Sequence, residues 1–105
     1  MELNIYWTDF SKNELHKIFI YYRDRASLQI AKKLILGLTQ EVLILRNNPD
    51  IGQREPLLKR RKHGFRYIVY KSYKVIYWVN QHKNRIEIVD VFDTRQNPIK
   101  MERAK

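Results

Sequence analysis

Residues 65–79 read FRYIVYKSYKVIYWV, and this stretch decides the fold. Residues 65–70 (FRYIVY) and 73–79 (YKVIYWV) consist mainly of aromatic and β-branched residues, which suit a pleated, half-buried surface. Only Lys71 and Ser72 separate the two runs, so they predict a β-hairpin, although this link lacks the glycine or asparagine that tight hairpin turns prefer. After the polar segment Gln81-His82-Lys83-Asn84, residues 85–92 (RIEIVDVF) give a further strand. Three strands in immediate succession predict an antiparallel meander.

Upstream, the apolar period changes from two to that of a helix. Leu15, Ile18, Phe19 and Tyr22 recur at i, i+3, i+4 and i+7, one face of a helix ending near Arg23–Arg25. Ser11 and Glu14 match a capping box, with Thr8 as the alternative cap. Ser27 can cap a second helix, whose stripe is Ala31, Leu34, Ile35, Leu38, Val42 and Leu45. Gly37 lies inside it at a cost of about 1 kcal/mol relative to alanine, which points to a close helix contact. Asn47-Asn48-Pro49 stops this helix, because proline cannot continue it and restricts the residue before it. The short link between the helices predicts an antiparallel helical hairpin. Before it, Leu3, Ile5 and Trp7 alternate with Asn4 and Tyr6, a first strand.

The order is therefore β-α-α-β-β-β. The hairpin must bury its stripes on one face of the sheet, which gives an α+β domain of two layers spanning residues 1–105. Asp50-Ile51-Gly52 reads as a turn, residues 53–64 as an irregular basic loop, and Asp93 to Lys105 as a short non-helical tail.

Charge is the strongest compositional signal, with 21 Lys and Arg against 11 Asp and Glu, a net of +10. Residues 1–55 hold 8 basic and 7 acidic residues, whereas residues 56–105 hold 13 and 4. Between Glu55 and Glu87 there is no acid, while Lys59, Arg60, Arg61, Lys62, Arg66, Lys71, Lys74, Lys83 and Arg85 all fall there. Such a field attracts phosphate backbones or an acidic protein. The absence of cysteine excludes disulfides and thiolate metal sites. The acids are scattered, so no paired-carboxylate or magnesium site stands out, and three glycines provide no phosphate-cradling loop. No cofactor is implied. No apolar run reaches the roughly 18 residues of a membrane span, and MELNIYWTDF lacks the features of a secretion signal. The expectation is a soluble, cytoplasmic protein.

The order of elements and several local patterns resemble the RelE/ParE superfamily of bacterial toxins. Trp7-Thr8 opens the helical hairpin, and Asn48-Pro49-x-x-Gly52 follows the second helix. Phe65-Arg66 with Tyr73-x-Val75-Ile76-Tyr77 is similar to the family's central hairpin, and Val91-Phe92-x-x-Arg95-x-x-Pro98 to the end of its last strand. The resemblance implies the growth-inhibiting toxin of a type II toxin–antitoxin system, a class tied to plasmid stabilisation, neutralised by a cognate acidic antitoxin in a heteromeric complex. ParE-like members poison DNA gyrase and are not known as nucleases, whereas RelE-like members cut mRNA on the ribosome without a metal. The sequence is closer to the ParE-like branch, because residues 96–105 (QNPIKMERAK) lack the tyrosine or histidine that RelE-like nucleases commonly carry there.

A nuclease would need cations at the phosphate and groups that move protons. The resemblance nominates Arg66, Lys74 and Arg95 for the phosphate, with Tyr73 or His63 for the protons; Tyr77 is assigned to the core and Tyr73 is read as exposed. Lys74 falls where RelE-like enzymes often carry arginine, and lysine holds two phosphate oxygens less well. Lys59, Arg60, Arg61, Lys62, Arg66, Lys71, Lys74 and Arg95 form the expected basic surface for gyrase or nucleic acid. Strand-borne arginines also commonly cover a sheet face with their stems. Trp7 and Trp78 are read as packing residues, and a non-toxic nucleic-acid-binding module would share the same electrostatics.

Overall fold

Both faces of the strand Tyr73–Asn80 carry apolar residues: Tyr73, Val75, Tyr77 and Val79 on one side, Ile76 and Trp78 on the other. A strand of this composition has to be covered twice. In the computed structural model, which describes residues 2–98, 100 and 101, that is what happens. The elements are β1 (Asn4–Trp7), α1 (Asp9–Arg25), α2 (Leu28–Val42), β2 (Gln53–Arg54), β3 (Arg66–Tyr70), β4 (Tyr73–Asn80) and β5 (Arg85–Asp93). They form one five-stranded sheet in the order β1-β5-β4-β3-β2. The β3-β4-β5 meander is antiparallel as expected, and β2 continues that sense at one edge. β1 joins the other edge parallel to β5, so the sheet is mixed.

The helical hairpin covers one face. Leu34, Leu38, Val42 and Leu45 pack on Tyr73, Val75, Tyr77, Ile86, Ile88 and Val91, with Leu15, Ile18 and Tyr22 of α1 closing the layer. The opposite face is covered not by an α-helix but by Leu58 of the basic loop, Phe65 just before β3 and Met101, which pack on Ile76, Val89 and Phe92. We call this second side the open face. A β-bulge supplies both layers: pairing steps from Ile76↔Asp90 to Tyr77↔Ile88, leaving Val89 as the extra residue.

Several local readings are corrected. Thr8, not Ser11, caps α1: its Oγ1 accepts from Ser11 N at 3.2 Å and donates to Ile88 O at 3.0 Å. One hydroxyl thus starts the helix and ties it to β5, while Ser11 turns inward and donates to Thr8 O. Ser27 caps α2 through Ile30 N, and α2 runs into a 3₁₀ turn, Leu43–Arg46, before Pro49. Gly37 marks a helix–sheet contact rather than a helix–helix one, because a Cβ there would collide with the Tyr70 hydroxyl. Lys71 makes the tight turn without glycine by adopting φ 54°, a left-handed conformation costing about 1 kcal/mol. The basic loop contains β2 and a 3₁₀ turn, Pro56–Leu58, rather than being wholly irregular. Of the expected tail, Met101 is buried, and residues 99 and 102–105 lie outside the described residues.

Candidate functional site

The cations nominated from sequence come to lie in separate places. Lys59, Arg60, Arg61 and Lys62 are exposed on the loop that follows the 3₁₀ turn, and Lys59, Arg60 and Arg61 line a shallow groove with Pro56 and Leu57. His63 ends this run and lies flat on Trp78, with ring centroids 3.6 Å apart and planes 8° apart. Trp78 therefore serves as the platform that holds the basic loop against the open face.

Lys74 stands in the middle of the open face, paired across the sheet with Val69 and Phe92. Its Nζ lies 2.8 Å from Glu55 Oε1 and 4.2 Å from the centroid of the Tyr67 ring. Glu55 is 1% exposed, and its other oxygen accepts from Leu57 N at 3.1 Å. The central cation of the sheet is thus already neutralised from within.

Arg66 belongs to the other face, opposite Tyr77. Its Nη1 donates to Asp50 O at 3.2 Å and Gly52 O at 2.8 Å. Tyr77 reaches the same segment, donating to Pro49 O at 2.7 Å and accepting from Gly52 N at 3.0 Å. Burial pushes the Tyr77 phenol above its ordinary pKa, against the opposing pull of Gly52 N–H and Arg66. The Pro49-x-x-Gly52 segment is therefore a structural clasp. Gly52 is required there, since a Cβ would come within 2.5 Å of Tyr77 Oη and 2.7 Å of Tyr67 O.

Arg95 follows β5 on the helix side. It forms a two-point pair with Asp93, with Nε and Nη2 at 2.9 and 2.8 Å from the carboxylate. This pair adjoins Tyr22 of α1, whose phenol is held below its ordinary pKa by hydrogen bonds from Tyr73 and Arg95. Tyr73 is 3% exposed, contrary to the expected exposure, because its ring enters the helix-side core. Burial, then the hydrogen bond to Tyr22, push its phenol well above the ordinary value. Asp93 is held below the ordinary carboxylate range, first by its side-chain hydrogen bond from Arg95. A groove of about 300 Å³ opens beside this cluster, bordered by Ile18, Tyr21, Tyr73, Val91 and Arg95. Lys71 sits apart on the β3–β4 turn, exposed, 5.9 Å from the Tyr70 ring.

These features acquire context from known proteins. The sequence profile of the ParE toxin of the type II toxin–antitoxin system parDE matches residues 5–98. This chain belongs to the ParE toxin family. Among curated proteins, no sequence matches it. Solved structures with a similar fold include one of a chromosomal ParDE toxin–antitoxin system from P. aeruginosa, at TM-score 0.72 and 17% identity, covering 88% of this chain and 96% of that one. A chain of the toxin–antitoxin complex RelBE2 from Mycobacterium tuberculosis gives TM-score 0.65 at 14% identity, covering 89% and 92%. An arginine double mutant of the E. coli toxin RelE in the free state gives 0.63 at 16% identity, covering 99% and 95%. The α+β fold of the RelE/ParE superfamily is thereby established for this toxin.

Within the ParE-family toxin, the structure brings Tyr73 and Arg95 together on Tyr22, beside one groove, but does not gather the three nominated cations. Lys74 is on the open face, Arg66 binds backbone carbonyls on the other, and Arg95 lies beside α1. His63 is near the open face but stacked, and Tyr73 is buried with Tyr22. Sequence reasoning missed Glu55, Tyr22, Tyr67 and Asp93. Two of these had a signal: Glu55 is the last acid before the acid-free stretch, and Asp93-x-Arg95 has the spacing that puts both side chains on one side of an extended strand. Among the described residues, no group of three or more His, Cys, Asp or Glu side chains could hold a metal, and no helix is long and apolar enough to cross a membrane.

Proposed function

We propose that this toxin arrests growth by acting on DNA gyrase in the cytoplasm rather than by cutting mRNA, and that an acidic antitoxin neutralises it. The observation that carries the reading is the dispersal of Arg66, Lys74 and Arg95. In-line cleavage of RNA needs cations and proton-moving groups assembled around one phosphate. Here each cation is engaged separately, and the nominated phenol, Tyr73, is 3% exposed. The net charge of +10 favours an acidic partner, and the P. aeruginosa and M. tuberculosis structures are of toxin–antitoxin systems. The exposed cations Lys59 to Lys62, with Lys71 and Arg95, form the surface we assign to partner or target contact.

The test is induced expression in bacteria, following growth, mRNA integrity and plasmid supercoiling together. The reading expects arrest with intact mRNA and relaxed or broken DNA, suppressed by co-expression of the antitoxin. Rapid mRNA cleavage on ribosomes would replace it with the RelE-like activity, and harmless expression with a plain nucleic-acid-binding module.

A further inference from the structure

Lys74 lies where a basic sheet would most naturally receive a nucleic-acid phosphate, on the open face near the cationic loop. The surrounding groups already engage it. Glu55 presents Oε1 to the ammonium at 2.8 Å, and its Oε2 is fixed by Leu57 N at 3.1 Å. The Tyr67 ring covers another side at 4.2 Å, itself anchored by its hydroxyl donating to Gln53 Oε1 at 3.0 Å. For Lys74 to take a phosphate, it would have to leave a carboxylate that is 1% exposed without its counter-ion, and a buried unpaired charge is strongly disfavoured. An approaching phosphate would also meet the Glu55 charge at close range and in a medium that screens it poorly.

We propose that Glu55 is a specificity-determining residue, an internal counter-ion that denies the open sheet face to the phosphates of single-stranded nucleic acid. The inference deepens the reading of this chain as a toxin that does not cut RNA, and rests on it. Its chemistry is a competition for one ammonium. Glu55 wins because it is covalently delivered, oriented by the Leu57 N–H and buried, whereas a phosphate must first displace it. The basic loop still attracts polyanions, but the sheet behind it stays closed to them.

The experiment compares three forms of the whole chain: wild type, Glu55→Gln, and the double variant Glu55→Gln with Lys74→Met. Glutamine keeps an oxygen for Leu57 N and the shape of the side chain while removing the charge. The double variant restores the wild-type net charge of +10, so any difference between the two variants isolates Lys74 from long-range electrostatics. Binding of a fluorescent single-stranded RNA 12-mer is read by anisotropy across a salt series. Glu55→Gln is expected to bind about tenfold more tightly than wild type, with a salt slope steeper by about 0.7, the signature of one added phosphate contact. The double variant is expected to return to the wild-type slope. Equal slopes for Glu55→Gln and the double variant would overturn the proposal.

A second measurement needs no substitution. Amine labelling of the wild-type chain, read by mass spectrometry with and without excess RNA, is expected to show protection at Lys59 and Lys62 and none at Lys74. RNA-dependent protection of Lys74 in the wild type would sink the idea even if the variants failed to fold. Following mRNA integrity in the expression assay separates the two claims: cleavage by wild type defeats the proposed function, whereas the labelling pattern reports on Glu55 alone.

Discussion

Two carboxylate–cation pairs flank β4, and they are built on opposite principles. Glu55–Lys74 lies on the open face with its acid 1% exposed and its cation 23% exposed; Asp93–Arg95 lies on the helix side with its arginine 58% exposed. The first joins residues 19 positions apart, so it exists only because the loop folds onto the sheet. The second joins residues two apart on one strand end and would form in many contexts. Burial makes the first pair a commitment, since neither partner can be withdrawn without stranding the other, whereas the second leaves its cation available to water or to another protein. A cation's chemistry here is therefore decided by where its counter-ion sits, not by how many cations surround it.

The largest effect that could break this comparison is Lys74→Met. It leaves Glu55 buried without its counter-ion, and should cost about 3 kcal/mol, the low end for breaking a buried pair because the lysine is partly exposed; chemical denaturation at neutral pH measures it. A loss no larger than that of a surface pair would mean that Glu55 finds water. Tyr77→Phe calibrates a buried neutral interaction in the same sheet. It removes the hydroxyl shared by Pro49 O and Gly52 N, and a loss of about 1–3 kcal/mol in the same assay is expected. Replacing both members of the buried pair, by Glu55→Gln with Lys74→Met, should fall within about 1 kcal/mol of wild type, because no charge is then stranded.

Arg95→Ala should leave the melting temperature nearly unchanged and mRNA intact in cells. On the nuclease reading, the same variant would abolish an mRNA cleavage that wild type performs. The smallest effect concerns pH. The folded Asp93 carboxyl titrates below its unfolded value, so its contribution is fully present above the unfolded value and is lost as pH falls through the folded one. In Arg95→Ala, an NMR titration should find Asp93 returned toward the ordinary carboxylate range.

The element order and the helix-side core were legible from local pattern. The stripe from Ala31 to Leu45 marks which side of α2 must be buried, and period alone decides that. Ser27 announced α2 by its side-chain chemistry, whereas Thr8 and Ser11 were interchangeable until the carbonyl of Ile88, 80 residues away, selected Thr8. From sequence Tyr77 is assigned to the core and Tyr73 to the surface; the structure buries both, because β4 is central and α1 brings Tyr22 to meet Tyr73.

The sequence by itself determined the charge, the α+β order and the two packed layers around a central hairpin, because these follow from composition and from periods of two and 3.6. Only the tertiary structure decided what the cations do. It turned Arg66 into a clasp on Asp50 and Gly52, set Arg95 beside Tyr22, stacked His63 on Trp78 and carried Glu55 to Lys74. The physical reason is that electrostatic interaction depends on distance and on the medium between charges, and neither is encoded by spacing along the chain.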